Sequence, residues 1–104
     1  MNEKNEKLQG IAKLIGLSSG EYELIRLLDD LLTDAEIDKI HERIKIVACL
    51  KDGLSQRDAQ KKTEAAIATV TRGASLLKKP QFILDRVITS AQKMSWWYKL
   101  FWQS

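Results

Sequence analysis

The sequence contains very few of the residues that fix unusual backbone geometry or crosslink a chain. Its 104 residues include one cysteine, one proline and five glycines. A single cysteine cannot form a disulfide within the chain. Because Cys49 lies in an apolar helical pattern, we expect it to be a buried, reduced thiol of a cytoplasmic protein.

Side chains suited to catalysis are also scarce. The one histidine, His41, has charged neighbours in the sequence and is expected to be solvated. No cysteine and histidine cluster has metal-ligand spacing, and no glycine-rich loop offers a phosphate cradle. The carboxylates form helical surface patterns. We therefore expect no catalytic residues, no metal site and no enzyme activity.

Long apolar segments are missing as well. No apolar run approaches the roughly 20 residues that cross a membrane, and the polar start MNEKNEKLQG lacks the apolar segment of a signal peptide. We expect no membrane association. With 44% hydrophobic and 30% charged residues, and mostly helix-forming residue types, the chain predicts one all-α domain over residues 1–104.

Apolar residues recur at three- and four-residue spacings, which predicts about six helices. Their expected positions are 3–17, 21–32, 34–51, 56–62, from Ala66 to a stop at Lys79-Pro80, and from Gln81 onward. The last helix is expected to bury Ile83, Val87, Ala91 and Met94. The apolar faces are wide for so short a chain, which indicates a homodimer.

Residues 55–79, SQRDAQKKTEAAIATVTRGASLLKK, predict two helices joined by a short turn. Ser55 can cap the first helix, while Ile67, Val70 and Leu77 of the second are expected to point inward. The residues expected to face solvent are Ala68, Thr69, Thr71 and Arg72. This arrangement suits a helix-turn-helix whose second helix enters the major groove of DNA. A plain helical hairpin with a solvated basic face is the alternative.

The charge distribution favours the DNA-binding interpretation. Residues 1–42 hold five Lys or Arg against ten Asp or Glu, a balance of −5. Residues 43–104 hold twelve against four, a balance of +8. The predicted helix pair thus lies in the half of the chain whose charge suits phosphate binding.

The C-terminal tail, residues 94–104, is dense in aromatic residues. Its run SWWYKLFWQS can form a dimer contact, lie on a membrane surface, or pack against the core of its own chain. The segment is short and holds one cation, Lys99, which favours dimer or core packing over a membrane surface.

Three segments resemble the tryptophan repressor family: LLTDAEIDKIHERIKIV (31–47), SQRD (55–58) and IATVTRGASLLK (67–78). The resemblance extends over roughly residues 22–90. It implies an all-α, intertwined homodimer that binds double-stranded operator DNA through a helix-turn-helix. It also implies L-tryptophan as the corepressor that orients this motif.

The resemblance further implies a set of ligand contacts. Arg72 matches the arginine that takes the tryptophan carboxylate, and Arg43 matches the one that stacks on the indole. A guanidinium suits both tasks, because it binds carboxylates through two parallel hydrogen bonds and stacks on rings. The other matched ligand positions are Asp30, Leu32, Thr33, Thr69 and Gly73, with Leu76 standing where the family has a serine that helps hold the ligand's amino group.

On the DNA side, the resemblance assigns contacts to both helices of the motif. Gln56 and Arg57 match phosphate and base contacts, and Gln60 replaces a lysine that faces DNA. Ala66 and Glu64 replace glycines of the turn. The tip of the recognition helix is matched by Ile67, Ala68 and Thr71.

These features predict a ligand-gated transcriptional repressor with L-tryptophan as corepressor. Two alternatives remain open at this point. One is a DNA-binding regulator of the same fold that responds to another indole or to no ligand. The other is a helical protein-interaction module whose helix-turn-helix does not bind DNA.

Overall fold

The computed structural model describes residues 2–80 and 82–102, and in these residues it contains seven α-helices and no strand. The predicted all-α class is confirmed. In chain order the helices are α1 (Glu3–Gly16), α2 (Gly20–Leu31), α3 (Asp34–Lys51), α4 (Gln56–Thr63), α5 (Ile67–Leu77), α6 (Ile83–Ala91) and α7 (Trp96–Phe101). Within the described ranges, no helix has both the length and the apolar character that a bilayer crossing demands.

The predicted number of helices was one too low, because the aromatic tail forms α7. Aromatic residues are mediocre helix formers, so the tail has no clear helical signal in its sequence. The helix is held by packing, since Trp97 is buried against the rest of the chain. The other bounds agree with the prediction to within two residues, except that Gln81, the predicted start of the last helix, lies outside the described residues.

The chain divides into two compact units, Met1–Ile37 and Asp38–Ser104, with the boundary inside α3. In the first unit, neither α1 nor α2 contains a buried residue. Their apolar side chains are nevertheless numerous, and Leu8, Tyr22 and Ile25 are all more than half exposed. Apolar faces of this size are uncommon on a monomeric surface.

The second unit has two apolar clusters that meet along α3. Ile46 and Cys49 face a cluster completed by Ala59, Ala65 and Val70. The opposite side of the helix, with Val47 and Ala48, packs against Ile88 and Trp97. Cys49 is buried as predicted, and this burial raises the pKa of its thiol.

The buried face of α6 differs from the predicted one. Ile88 is buried, whereas Ile83, Val87 and Met94 are exposed and Ala91 is partly buried. The helix carries apolar residues on two adjoining stripes, and periodicity does not tell which stripe the same chain covers. The stripe containing Ile88 is the one that packs within the second unit.

The turn between α4 and α5 has an unusual backbone conformation. Glu64 adopts φ 58° and ψ 21°, in the left-handed region, and its N–H donates to the carbonyl of Gln60 at 2.7 Å. This geometry ends α4 in the way a glycine commonly does. A residue with a Cβ is strained there, because its Cβ crowds the following carbonyl.

We therefore expect Glu64→Gly to stabilise the protein by about 0.5–1 kcal/mol, since glycine adopts this conformation without the steric cost. The measurement is the denaturant midpoint at one fixed protein concentration. Glu64→Ala is the matched control, because it removes the carboxylate and keeps the Cβ. A gain of similar size in both variants would assign the effect to charge and contradict the backbone explanation.

Candidate functional site

Helices α4 and α5 form a compact pair joined by Glu64, Ala65 and Ala66. The Ser55 hydroxyl accepts a hydrogen bond from the Asp58 N–H at 3.1 Å and so caps α4, as predicted. Ala59 and Val70 are fully buried where the two helices meet. Two small alanines in this cluster let the helices approach closely, as a helix-turn-helix requires.

One face of the pair is open to solvent and carries the residues predicted to contact DNA. Those exposed are Gln56, Arg57, Ala66, Ile67, Ala68 and Thr71, while Gln60 is partly buried. Ile67 is 54% exposed, so the expectation that it points inward is wrong. As the first residue of α5, it precedes the part of the helix that packs on the cluster, which begins with Val70.

The two helices are linked on this exposed face. The Thr71 hydroxyl lies 3.5 Å from Oε1 of Gln56, at the outer limit of a hydrogen bond. At the start of α5, Ala66 has no side chain that can cap the helix. The first N–H groups of such a helix attract anions, phosphates included.

The predicted ligand residues of the second unit lie on α3 and α5. Arg43 is exposed on α3, one turn before Ile46 and Val47, and Arg72 is exposed on α5. Gly73, next to Arg72, is buried where the two helices meet. Thr69 and Leu76 are partly buried, so the expectation that Thr69 faces solvent is wrong.

Gly73 of α5 lies directly against side chains of α3. A Cβ at this position would lie 3.0 Å from Cγ2 of Ile46 and 3.5 Å from Cδ1 of Leu50. The glycine therefore faces α3 side chains of its own chain. The resemblance names Gly73 as a ligand position, and that role stays a prediction.

The predicted ligand residues of the first unit lie where α2 ends and α3 begins. Asp30 is exposed and Leu32 is partly buried. Thr33 and Glu36 form a reciprocal cap: the Thr33 N–H donates to Oε1 of Glu36 at 2.9 Å, and the Glu36 N–H donates to the Thr33 hydroxyl at 3.2 Å. These hydrogen bonds lower the pKa of the Glu36 carboxyl.

Sequence reasoning missed a group of residues that contact the tail. Lys45 and Lys62 place their ammonium groups 4.8 and 4.6 Å from the ring centroid of Trp102. His41 is partly buried and stacks on Phe101, so the expectation that it is solvated is wrong. The aromatic density of residues 96–102 was the available signal, but spacing alone does not identify the residues it meets.

A helical chain with a capped, compact helix pair and an exposed basic face has the architecture of a helix-turn-helix protein. The sequence model of the family described as Trp repressor protein matches residues 6–92, and the chain belongs to this family. Searches among curated proteins and solved structures returned no match. The family comprises DNA-binding transcriptional repressors that are typically dimeric, and it is not an enzyme family.

The contact at Gly73 makes a prediction about packing. We expect Gly73→Ala to destabilise the protein by about 1 kcal/mol, because overpacking against buried, β-branched Ile46 outweighs the gain in helix propensity. Gly10→Ala is the control, since a Cβ there meets nothing within 4 Å in the chain and should stabilise α1. Denaturant unfolding measures both, and an equal gain in both variants would contradict the close contact.

Proposed function

We propose that this protein is a transcriptional repressor that binds operator DNA through α4 and α5 under the control of L-tryptophan. The observation that carries the proposal is the exposed side of the helix pair. It carries Arg57 on α4 and Ala68 and Thr71 on α5. Membership of a repressor family supports the same function. A repressor acts on the chromosome, so we propose a cytoplasmic location.

The chemistry of this face supports DNA binding. Ala68 and Thr71 are small, which lets the backbone of α5 approach base edges in the major groove. Arg57 supplies a guanidinium for a phosphate or a base. The unit Asp38–Ser104 holds thirteen Lys or Arg against six Asp or Glu, which favours attraction to the DNA backbone.

The ligand proposal rests on Arg43 and Arg72. Both guanidinium groups are on exposed residues of neighbouring helices that meet at Gly73. Arg72 is proposed to bind the tryptophan carboxylate, and Arg43 is proposed to stack on the indole. Thr69 and Leu76 extend this proposal along α5, while Asp30, Leu32 and Thr33 remain proposed contacts on the resemblance alone.

Leu76 favours a second candidate, in which the regulator answers to an indole that lacks an amino group. A leucine side chain cannot accept a hydrogen bond from an ammonium group. The amino group of tryptophan must then rely on backbone carbonyls, as at the C-terminal end of a helix. The remaining alternative is a helical protein-interaction module. Weak DNA binding that does not change with salt concentration would favour it, because phosphate contacts make affinity fall steeply with salt.

A homodimer is proposed because the first unit covers so little of its own apolar surface. Neither α1 nor α2 has a buried residue, although three apolar side chains of α1 recur on its surface: Leu8, Ile11 and Leu14. We expect a second copy to cover these faces, which makes stability depend on protein concentration. Sedimentation that finds a folded monomer at micromolar concentration would contradict this expectation.

For DNA binding, we expect Arg57→Ala and Thr71→Ala each to weaken operator affinity by about 1–3 kcal/mol without unfolding the protein, because each removes one contact. Fluorescence anisotropy with labelled operator DNA at several salt concentrations measures this. Arg26→Ala, which removes an exposed arginine from the first unit, is the control. Wild-type affinity in both test variants would show that the assigned face is wrong.

For the ligand, we expect Arg72→Ala to abolish the tryptophan response while leaving non-specific DNA binding, which is mainly electrostatic. Leu76→Ser should tighten L-tryptophan binding about tenfold by restoring a hydrogen bond to a charged group. Calorimetric titration with L-tryptophan measures ligand affinity in both variants, and DNA anisotropy measures the binding that Arg72→Ala retains. Leu76→Ala is the control for the smaller side chain. Equal affinity of the natural protein and Leu76→Ser, with strong discrimination against deaminated indoles, would mean that backbone carbonyls suffice.

A further inference from the structure

The aromatic tail lies beyond residues 6–92, the part of the chain that the family model matches. It packs on the same unit that holds the helix pair. Trp102 directly follows α7, and its backbone N–H donates to the carbonyl of Tyr98 at 2.9 Å, so its backbone continues the last turn of that helix. The family match therefore does not assign a role to this segment.

Trp102 joins two helices through their lysines. Lys45 belongs to α3 and Lys62 to the last turn of α4, and both ammonium groups lie within 5 Å of the centroid of the same indole. This distance is within the range of an attractive cation–π contact, and the indole is the aromatic ring that gives the strongest one. The indole thus connects the first helix of the helix-turn-helix to α3.

The tail also contacts α3 at His41, one helical turn before Lys45. His41 precedes Lys45 by four residues, so the two side chains lie on one side of the helix. The His41 ring stacks on Phe101 at 4.5 Å with an interplanar angle of 7°, and its Nε2 lies 3.0 Å from the carbonyl oxygen of Leu100. Phe101 also stacks on buried Trp97 at 4.5 Å. These contacts hold α7 in one place against α3.

The cluster beneath the helix pair is small, which makes the contribution of an indole large. Ala59 and Ala65 supply little apolar area, so α4 depends on larger neighbours in this cluster: Ile46, Cys49 and Val70, with partly buried Leu50, Leu54 and Trp102. Trp102 packs against this cluster and also against the second cluster, on the other side of α3. A tryptophan side chain contributes more apolar contact area than any of the residues in the first cluster.

We propose that Trp102 is a positioning residue for the helix-turn-helix: it ties α4 to α3 and so orders the surface that contacts DNA. The consequence for DNA binding rests on the proposed function, whereas the ordering of the helices does not. Removing the indole releases both lysines and uncovers the small cluster under α4. Local opening of α4 and α5 then becomes easier, while α6, which is also held by buried Ile88 and by the Lys51–Asp85 ion pair, changes less.

Amide hydrogen exchange of the full-length protein tests the ordering. In Trp102→Ala we expect the amides of α4 and α5 to exchange about tenfold faster than in the natural protein, with a smaller change in α6. Trp96→Ala is the matched control, because it removes an indole from the same tail that is 44% exposed and should leave α4 and α5 as they are. Unchanged exchange in Trp102→Ala, or equal acceleration by both variants, would overturn the proposal.

Two further variants apply if Trp102→Ala unfolds as a whole. Trp102→Phe keeps an aromatic face for the lysines, while Trp102→Leu keeps apolar bulk without one. We expect the phenylalanine variant to retain more protection in α4 than the leucine variant, because only a ring attracts the ammonium groups. Equal protection in the two would refute the role of the cation–π contacts, and protection equal to the natural protein in both would refute the positioning role.

DNA affinity gives the functional part of the test. With saturating L-tryptophan, we expect Trp102→Ala to bind operator DNA about tenfold more weakly, since ordering the helices then costs part of the binding energy. Trp96→Ala should bind as the natural protein does. If the natural protein binds no DNA, the proposed function fails, and the exchange measurement alone decides whether Trp102 orders the helices. Faster exchange with undiminished affinity would overturn the positioning role in DNA binding.

Discussion

The contact of α5 with apolar side chains of α3, made at Gly73 and Val70, is the constraint on which the second unit depends. Gly73 has no side chain, so α5 can approach Ile46 and Leu50 closely and carry Val70 into the buried cluster. Once Val70 is buried, the pitch of the helix turns Thr71 and Arg72 outward. A protein interior has little free volume, so a shift of α5 would disturb α4 through the same cluster.

The two units achieve order by different means. The second has buried residues on five helices, α3 to α7, and an ion pair, Lys51 with Asp85 at 2.8 Å, that ties α6 to the end of α3. In the first unit α1 and α2 contain no buried residue, and local hydrogen bonds define their starts: the Asn5 N–H donates to the Asn2 side chain, and the Ser19 N–H donates to Glu23. Short isolated helices are marginally stable in water, so this unit gains the most from a covering surface.

Local signals in the sequence were sufficient for most of the fold. The Ser55 cap depends on residues within one turn, so spacing alone predicted it correctly. The exposure of Ile67 and Ile83 was missed because a helical period reveals an apolar stripe without revealing what covers it. The contact of Lys45 with Trp102 joins residues far apart in sequence, and no local pattern encodes it. The predicted site residues stay predictions, with positions now assigned to individual helix faces.

The position of the three tryptophans has a spectroscopic consequence. All of them lie between residues 96 and 102, with Trp97 buried, Trp96 exposed and Trp102 partly buried beside two ammonium groups. Indole emission depends on its immediate surroundings, so intrinsic fluorescence of this protein reports on the docking of the tail. Residues 1–37 contribute no indole to that signal. A fluorescence melting curve therefore follows the tail, whereas circular dichroism also includes α1 and α2.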